Sequence, residues 1–184
     1  TPAAGRDWPT FRHDARRIAC TPATIPAVLA PAWTAELPAE PSSPVAANGR
    51  VFVVAKDAHT VYALGATDGK TLWTYTAGGR VDSPPSCSAG RVFFGSCDGW
   101  VYCLTEAEGK LVWRFRAAPA DRRILVRGQL ESVWPVHGAV LIENGIAYVS
   151  AGRHTDSDGG LCLYALNAAT GEIAWKNHVT HDPC

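Results

Sequence analysis

The chain contains no methionine in 184 residues. That is expected of a matured protein, or of a piece of a longer one. It has no excess of charge of either sign: 17 Lys and Arg balance 17 Asp and Glu. Neutrality gives no footing for nucleic acid or for electrostatic steering of a partner by net charge. No apolar run nears the roughly 20 residues that span a bilayer. The start, Thr1-Pro2-Ala3-Ala4-Gly5, has no apolar stretch of the signal-peptide kind. None of the six cysteines (20, 87, 97, 103, 162 and 184) forms Cys-x-x-Cys, which argues against a zinc knuckle or a thioredoxin-type pair. Cys-x-x-Cys-His, the covalent haem signature, is also missing. So are Gly-x-Ser-x-Gly, His-Glu-x-x-His and a phosphate loop.

What the chain does have is a metre. Trp33, Trp73 and Trp113 are each 40 residues apart, and Trp175 follows 62 later. The same phrase precedes the last three: Val61-Tyr62-Ala63-Leu64 to Gly69-Lys70-Thr71-Leu72-Trp73, Val101-Tyr102-Cys103-Leu104 to Gly109-Lys110-Leu111-Val112-Trp113, and Leu163-Tyr164-Ala165-Leu166 to Gly171-Glu172-Ile173-Ala174-Trp175. A period near 40 with several short strands per unit predicts an all-β propeller of four-stranded antiparallel blades. Blades are expected over 43–77, 82–117 and 133–179. Asn48-Gly49 and Ala89-Gly90 supply two-residue hairpin turns that tolerate positive φ. Strand B is continuously apolar in blades one and two (Val51-Phe52-Val53-Val54; Val92-Phe93-Phe94), as a strand covered on both faces should be.

Blade three carries 22 additional residues: 11 before strand A, 4 in strand A and 7 in the B–C connection. In an antiparallel A-B-C-D blade the D–A and B–C connections emerge on one face. The two larger insertions, Pro119–Val133 and Gly152–Gly160, are therefore expected to share that face, and loops on a rigid scaffold commonly carry binding. Ala32-Trp33-Thr34-Ala35-Glu36-Leu37 matches an outer strand D with no A to C before it, and 1–31 reads as an irregular Pro- and Ala-rich lead-in. Three blades and one outer strand cannot close a ring. The expectation is a partial propeller over 32–184, the first part of a seven- or eight-bladed ring.

The repeated phrase resembles the pyrroloquinoline-quinone-type propeller repeat, Tyr-Ala-Leu-(Asp/Asn)-x-x-Thr-Gly-Lys-x-x-Trp. The copy ending at Trp175 matches best; the first departs at Gly65 and Asp68, the second at Cys103, Thr105 and Glu108. Asp7-Trp8-Pro9-Thr10-Phe11-Arg12 is similar to the lead-in before such propellers in bacterial secreted proteins. The resemblance covers about residues 7–180. It implies that Trp33, Trp73, Trp113 and Trp175 pack between neighbouring blades and dock them together, by burial of large aromatic area. The family has a branch of quinone-dependent dehydrogenases, which bind the quinone and calcium over the channel. Its other branch is cofactor-free and includes the outer-membrane-assembly propeller lipoprotein. No Cys-Cys dipeptide stands here, whereas dehydrogenases often carry one against the quinone.

The insertion face offers Arg122, Arg123, Arg127, Arg153, His154, Asp156 and Asp158 as candidates for contact with a partner. Arginine forks suit carboxylates or phosphates; local Arg–Asp pairs in solvated loops are the plainer reading. Asp156-Ser157-Asp158-Gly159-Gly160 resembles a short calcium loop, but the full set of oxygen ligands is missing and turn chemistry explains the same residues. In the stretch from His178 to Cys184, His178 and His181 lie three apart and point to opposite faces of a strand, so no metal is assigned there. His13, Asp14 and His59 read as surface residues. Cys103 and Cys162 read as small buried apolar residues, and pairing of Cys20 with Cys184, or with something outside the chain, stays open.

The functional expectation is a non-catalytic secreted, periplasmic or cell-envelope scaffold, without cofactor or metal. It binds a protein partner or the remainder of its own propeller, with neither nucleic acid nor a membrane span. The alternative is the N-terminal part of a pyrroloquinoline-quinone-dependent alcohol or sugar dehydrogenase with calcium. A third reading is one section of a large surface or assembly protein.

Overall fold

The computed structural model describes residues 7–181, and these contain strands and turns but no helix. Three four-stranded antiparallel sheets follow one another in chain order. The first comprises β1 (Val45–Ala47), β2 (Arg50–Ala55), β3 (Thr60–Gly65) and β4 (Thr71–Thr76). The second comprises β5 (Ser86–Ser88), β6 (Arg91–Gly95), β7 (Trp100–Thr105) and β8 (Leu111–Arg116). A two-stranded hairpin, β9 (Arg123–Val126) with β10 (Gln129–Ser132), precedes the third sheet: β11 (Leu141–Glu143), β12 (Ile146–Ala151), β13 (Leu161–Asn167) and β14 (Ile173–Val179). The protein is an all-β propeller array of three blades.

Turn chemistry sets the A–B hairpins. Asn48-Gly49, Ala89-Gly90 and Asn144-Gly145 all hold paired positive φ angles, the primed-turn conformation whose twist matches the flanking strands. Packing between blades follows the period-two alternation of β6. Val92 and Phe94 lie with blade one's Phe52, Val54 and Trp73, while Phe93 lies with blade three's Val149 and Leu166. Each C–D ladder carries a register shift at the same place, after Ala63, Cys103 and Ala165, which pair with Trp73, Trp113 and Trp175. Cys103, fully buried, thus fills a position that takes a small residue opposite an indole.

Three of the four tryptophans lie against the following blade in one geometry. The indole Nε1 of Trp33, Trp73 and Trp113 donates to the carbonyls of Ala66 (3.0 Å), Glu106 (2.9 Å) and Ala168 (3.1 Å). Their rings lie over Gly69, Gly109 and Gly171 of the C–D turns. Trp175 is 51% exposed. Residues 32–37 form no ladder, because no C strand stands beside them; Trp33 is the part of a D strand that they retain.

The lead-in is irregular but anchored. Trp8 bridges Ala46 on the outer edge of β1, Pro9 accepts from Cys87 N on β5 (2.7 Å), and Arg17 donates to Ala139 ahead of β11 (3.1 Å). It touches the first strand of blade one, the first strand of blade two and the segment leading into blade three in turn.

Candidate functional site

The B–C connections of the three blades and the two D–A connections between them do meet on one face, and their polar side chains converge. Blade one supplies Asp57 and His59 from its B–C turn, and Arg80 and Asp82 from the connection that leaves β4. Blade two supplies Cys97 and Asp98. Glu131 comes from β10, His137 from the segment before β11, and Arg153 from the B–C connection of blade three.

Glu131 is the hub. Its side chain is fully buried, and a buried carboxylate needs paired charge. Arg153 donates to its Oε2 at 2.5 Å, and Arg80 approaches its Oε1 at 3.4 Å, out of line for a hydrogen bond. Arg80 also places Nε 2.9 Å from Asp82 Oδ1 and an amino group 3.9 Å from Asp57. On the other side of Asp82, Oδ2 lies 2.6 Å from His137 Nδ1 and accepts from the Cys97 thiol at 3.3 Å. The His137 hydrogen bond, helped by Cys97 and Arg80 and opposed by burial, holds Asp82 down at about 2. Burial, reinforced by the charges of Asp82 and Glu131, pushes the Cys97 thiol up. Beside this group Tyr102 donates to Asp98 at 2.5 Å, and burial followed by that carboxylate raises the phenol.

The large insertion is an ordered hairpin, not an irregular loop. Arg127-Gly128 forms its turn with φ 49° and 77°. Gln129 hydrogen-bonds His59 (2.8 Å) and donates to Asp57 (3.4 Å), so the hairpin reaches over to blade one. His59, read as a plain surface residue, is therefore a contact point between blades, which only the fold of the insertion reveals. The outer side of the hairpin presents Leu125 and Leu130, cross-strand partners that are 72% and 62% exposed.

Of the residues singled out in the sequence, Arg153 alone enters the buried cluster. Arg122 pairs with Asp158 (3.6 Å) and Arg123 with Asp121 (3.2 Å), while Arg127 stands exposed at the hairpin tip. His154 and His181 share Asp156 at 3.3 and 3.9 Å, and His178 contacts the Gly159 carbonyl. Asp156 and Asp158 turn to different partners, and the two glycines after Asp158 hold positive φ, so turn chemistry governs this loop. Arg80, Asp82, Cys97 and His137 belong to no local motif and lie outside the two inserted stretches, so the sequence reading missed them. Their positions in the blade frame, all in D–A or B–C connections, carried the available signal. The five described cysteines, Cys20, Cys87, Cys97, Cys103 and Cys162, are free thiols, and Cys184 lies outside the described residues. A groove of about 640 Å³ lies away from this face, between Trp33, Leu37, Pro41 and one side of β2, and only Glu36 among its lining is titratable.

Comparison with known proteins places this geometry. A family model described as outer membrane protein assembly factor BamB matches residues 29–134. The outer membrane protein assembly factor BamB of Burkholderia pseudomallei is 31% identical over 150 residues, covering 80% of this chain and 34% of that protein. The dehydrogenase subunit of the quinone alcohol dehydrogenase of Acetobacter aceti is 30% identical over 125 residues, covering 62% of this chain and 16% of that protein. The crystal structure of quinohemoprotein alcohol dehydrogenase from Comamonas testosteroni superposes with a TM-score of 0.74 at 24% identity, over 97% of this chain and 28% of that one. The chain spans about a third or less of the length of each. Because the BamB family model covers more than half of the sequence, the chain belongs to that family of β-propellers with pyrroloquinoline-quinone-type repeats.

Proposed function

We propose that this chain is a non-catalytic β-propeller scaffold of the cell envelope that binds a protein partner through the face carrying loops 119–133 and 152–160. The observation that carries the reading is the β9–β10 hairpin. It is held from below by Glu131 and from the side by Gln129, and it presents Leu125 and Leu130 to solvent within a rim that includes Arg122, Arg123 and Arg127. An apolar centre with an arginine-bearing rim on a rigid base is how protein interfaces are built. The relative described as an outer membrane protein assembly factor supports a protein partner at the envelope. In this reading Trp33, Trp73, Trp113 and Trp175 act as docking wedges between blades.

A photo-crosslinking residue in place of Leu125 or Leu130 tests the proposal in cells. A discrete adduct from the hairpin, with none from the same probe at Asn48 on the opposite face, is expected. Equal adducts from both faces, or none, would refute it. The quinone-enzyme reading is favoured by the likeness to the Acetobacter subunit. Alcohol- or sugar-dependent dye reduction after addition of pyrroloquinoline quinone and calcium would replace the scaffold reading with that one.

A further inference from the structure

Asp82 Oδ2, Cys97 Sγ and His137 Nδ1 face one another within 4.8 Å, the one such group of three His, Cys or acidic ligand atoms among the described residues. Two chemistries suit a thiol, an imidazole and a carboxylate in contact. In a nucleophilic relay the imidazole touches the thiol with one nitrogen and the carboxylate with the other. Here both contacts fall on Nδ1: Asp82 at 2.6 Å and Cys97 at 3.5 Å. Nε2 instead faces Arg153 at 3.5 Å. The thiol is also buried, away from any substrate. A relay is therefore excluded by connectivity. Three different donor atoms aimed at a common point is the arrangement of a ligand set.

We propose that Asp82, Cys97 and His137 form a binding site for a divalent transition-metal cation of the zinc class. The donor types decide the class, since thiolate and imidazole select borderline metals and disfavour calcium or magnesium. The dimensions agree. Bonds of about 2.0–2.3 Å in a tetrahedron put ligand atoms about 3.3–3.8 Å apart. The Cys97–Asp82 and Cys97–His137 separations, 3.3 and 3.5 Å, already fall in or near that range. Only the Asp82–His137 pair, at 2.6 Å, must open, and both side chains are part-exposed and have room to turn.

The surroundings support the set. Arg80 lies against both oxygens of Asp82, with Nε 2.9 Å from Oδ1 and Nη2 donating to Oδ2 at 3.4 Å; metal binding replaces the long Oδ2 contact and keeps the short one on Oδ1. A metal on Nδ1 moves the imidazole proton to Nε2, so the long Arg153 contact gives way and Arg153 stays with Glu131. Glu131 offsets the positive charge of the two arginines, which lets a divalent ion enter. The site is independent of the partner-binding reading and stands whether or not the hairpin docks a protein.

Cobalt(II) is the probe, because a cobalt-bound thiolate gives a near-ultraviolet charge-transfer band and tetrahedral cobalt gives visible bands. Titration of the chain should produce both with one-to-one stoichiometry, and zinc should bleach them. Cys97→Ala should remove the charge-transfer band, and His137→Ala, at a part-exposed position, should weaken binding at least tenfold while circular dichroism shows the fold retained. Cys20→Ser should change nothing. The proposal is overturned if no thiolate band forms, if the band survives Cys97→Ala, if Cys20→Ser removes it, or if equimolar calcium displaces the cobalt.

Discussion

A matched pair of glycine substitutions isolates what the indole contact contributes at a seam between blades. Gly109 and Gly90 both hold the left-handed conformation, at φ 68° and 71°. Alanine at either position incurs about 1–2 kcal/mol for that backbone region. The two sites differ in what a β-carbon meets. At Gly90 nothing lies within 4 Å, whereas at Gly109 the Trp73 ring lies at 2.6 Å, with a second ring carbon equally close. Trp73 cannot retreat, because its Nε1 is bonded to Glu106 and its ring packs on Phe52. Gly109→Ala should therefore add an overpacking cost of about 1–3 kcal/mol to the backbone cost that both variants share. For a domain of this size 1 kcal/mol moves Tm by about 2–4 °C. Gly109→Ala should then melt about 2–12 °C below Gly90→Ala. Thermal unfolding followed by circular dichroism, with both variants in one buffer, gives the difference directly. Equal melting temperatures would mean that the ring does not press on the turn, and the wedge account of the seam would fall with it.

Thiol labelling of the native chain followed by peptide mapping should modify Cys20 within minutes and leave Cys87, Cys97, Cys103 and Cys162 unlabelled until the fold is opened. Burial raises the Cys103 thiol to about 11, above the roughly 8.5 of an exposed cysteine. The stability this neutral thiol contributes is complete below the lower value and is lost as pH rises through the upper one. Tm should fall over that window, and less steeply in Cys103→Ala, a variant the fold accepts because alanine fills the matching positions 63 and 165. Arg153→Ala, which strips a partner from the buried Glu131, should cost about 2–5 kcal/mol. Arg122→Ala, which breaks a solvent-facing pair, should cost under about 1 kcal/mol in the same urea titration.

The architecture was legible because its causes are local and repeat. Asn48-Gly49 dictates a hairpin, Val51 to Val54 dictates a strand covered twice, and Trp73, Trp113 and Trp175 each mark a D strand. Even the placement of two insertions on one face follows from strand parity. The content of the candidate site was not legible in the same way. Arg80 and Asp82, Cys97, and His137 lie in three different connections, and no local spacing announces that Asp82 Oδ2 meets both Cys97 and His137. Glu131 is buried only because the insertion folds as a hairpin, which no local pattern announces. Arg122 and Arg123, prominent in sequence, spend their charge on Asp158 and Asp121. Arg127 kept its predicted exposure because a hairpin tip has no neighbours to bury it.

Arrays of stacked units usually feel only the unit on either side, so they can open one at a time from an end. The stretch from Trp8 to Arg17 breaks that rule, since it fastens to the innermost strand of the first sheet, then the second, then the margin of the third. Gln129 adds a second fastening, from the linker ahead of the third sheet back to the first. A disturbance at one end is thereby felt at the other without passing through the middle. The three sheets should therefore melt as a single cooperative body, and cutting the strap after Arg17 should let them come apart in sequence.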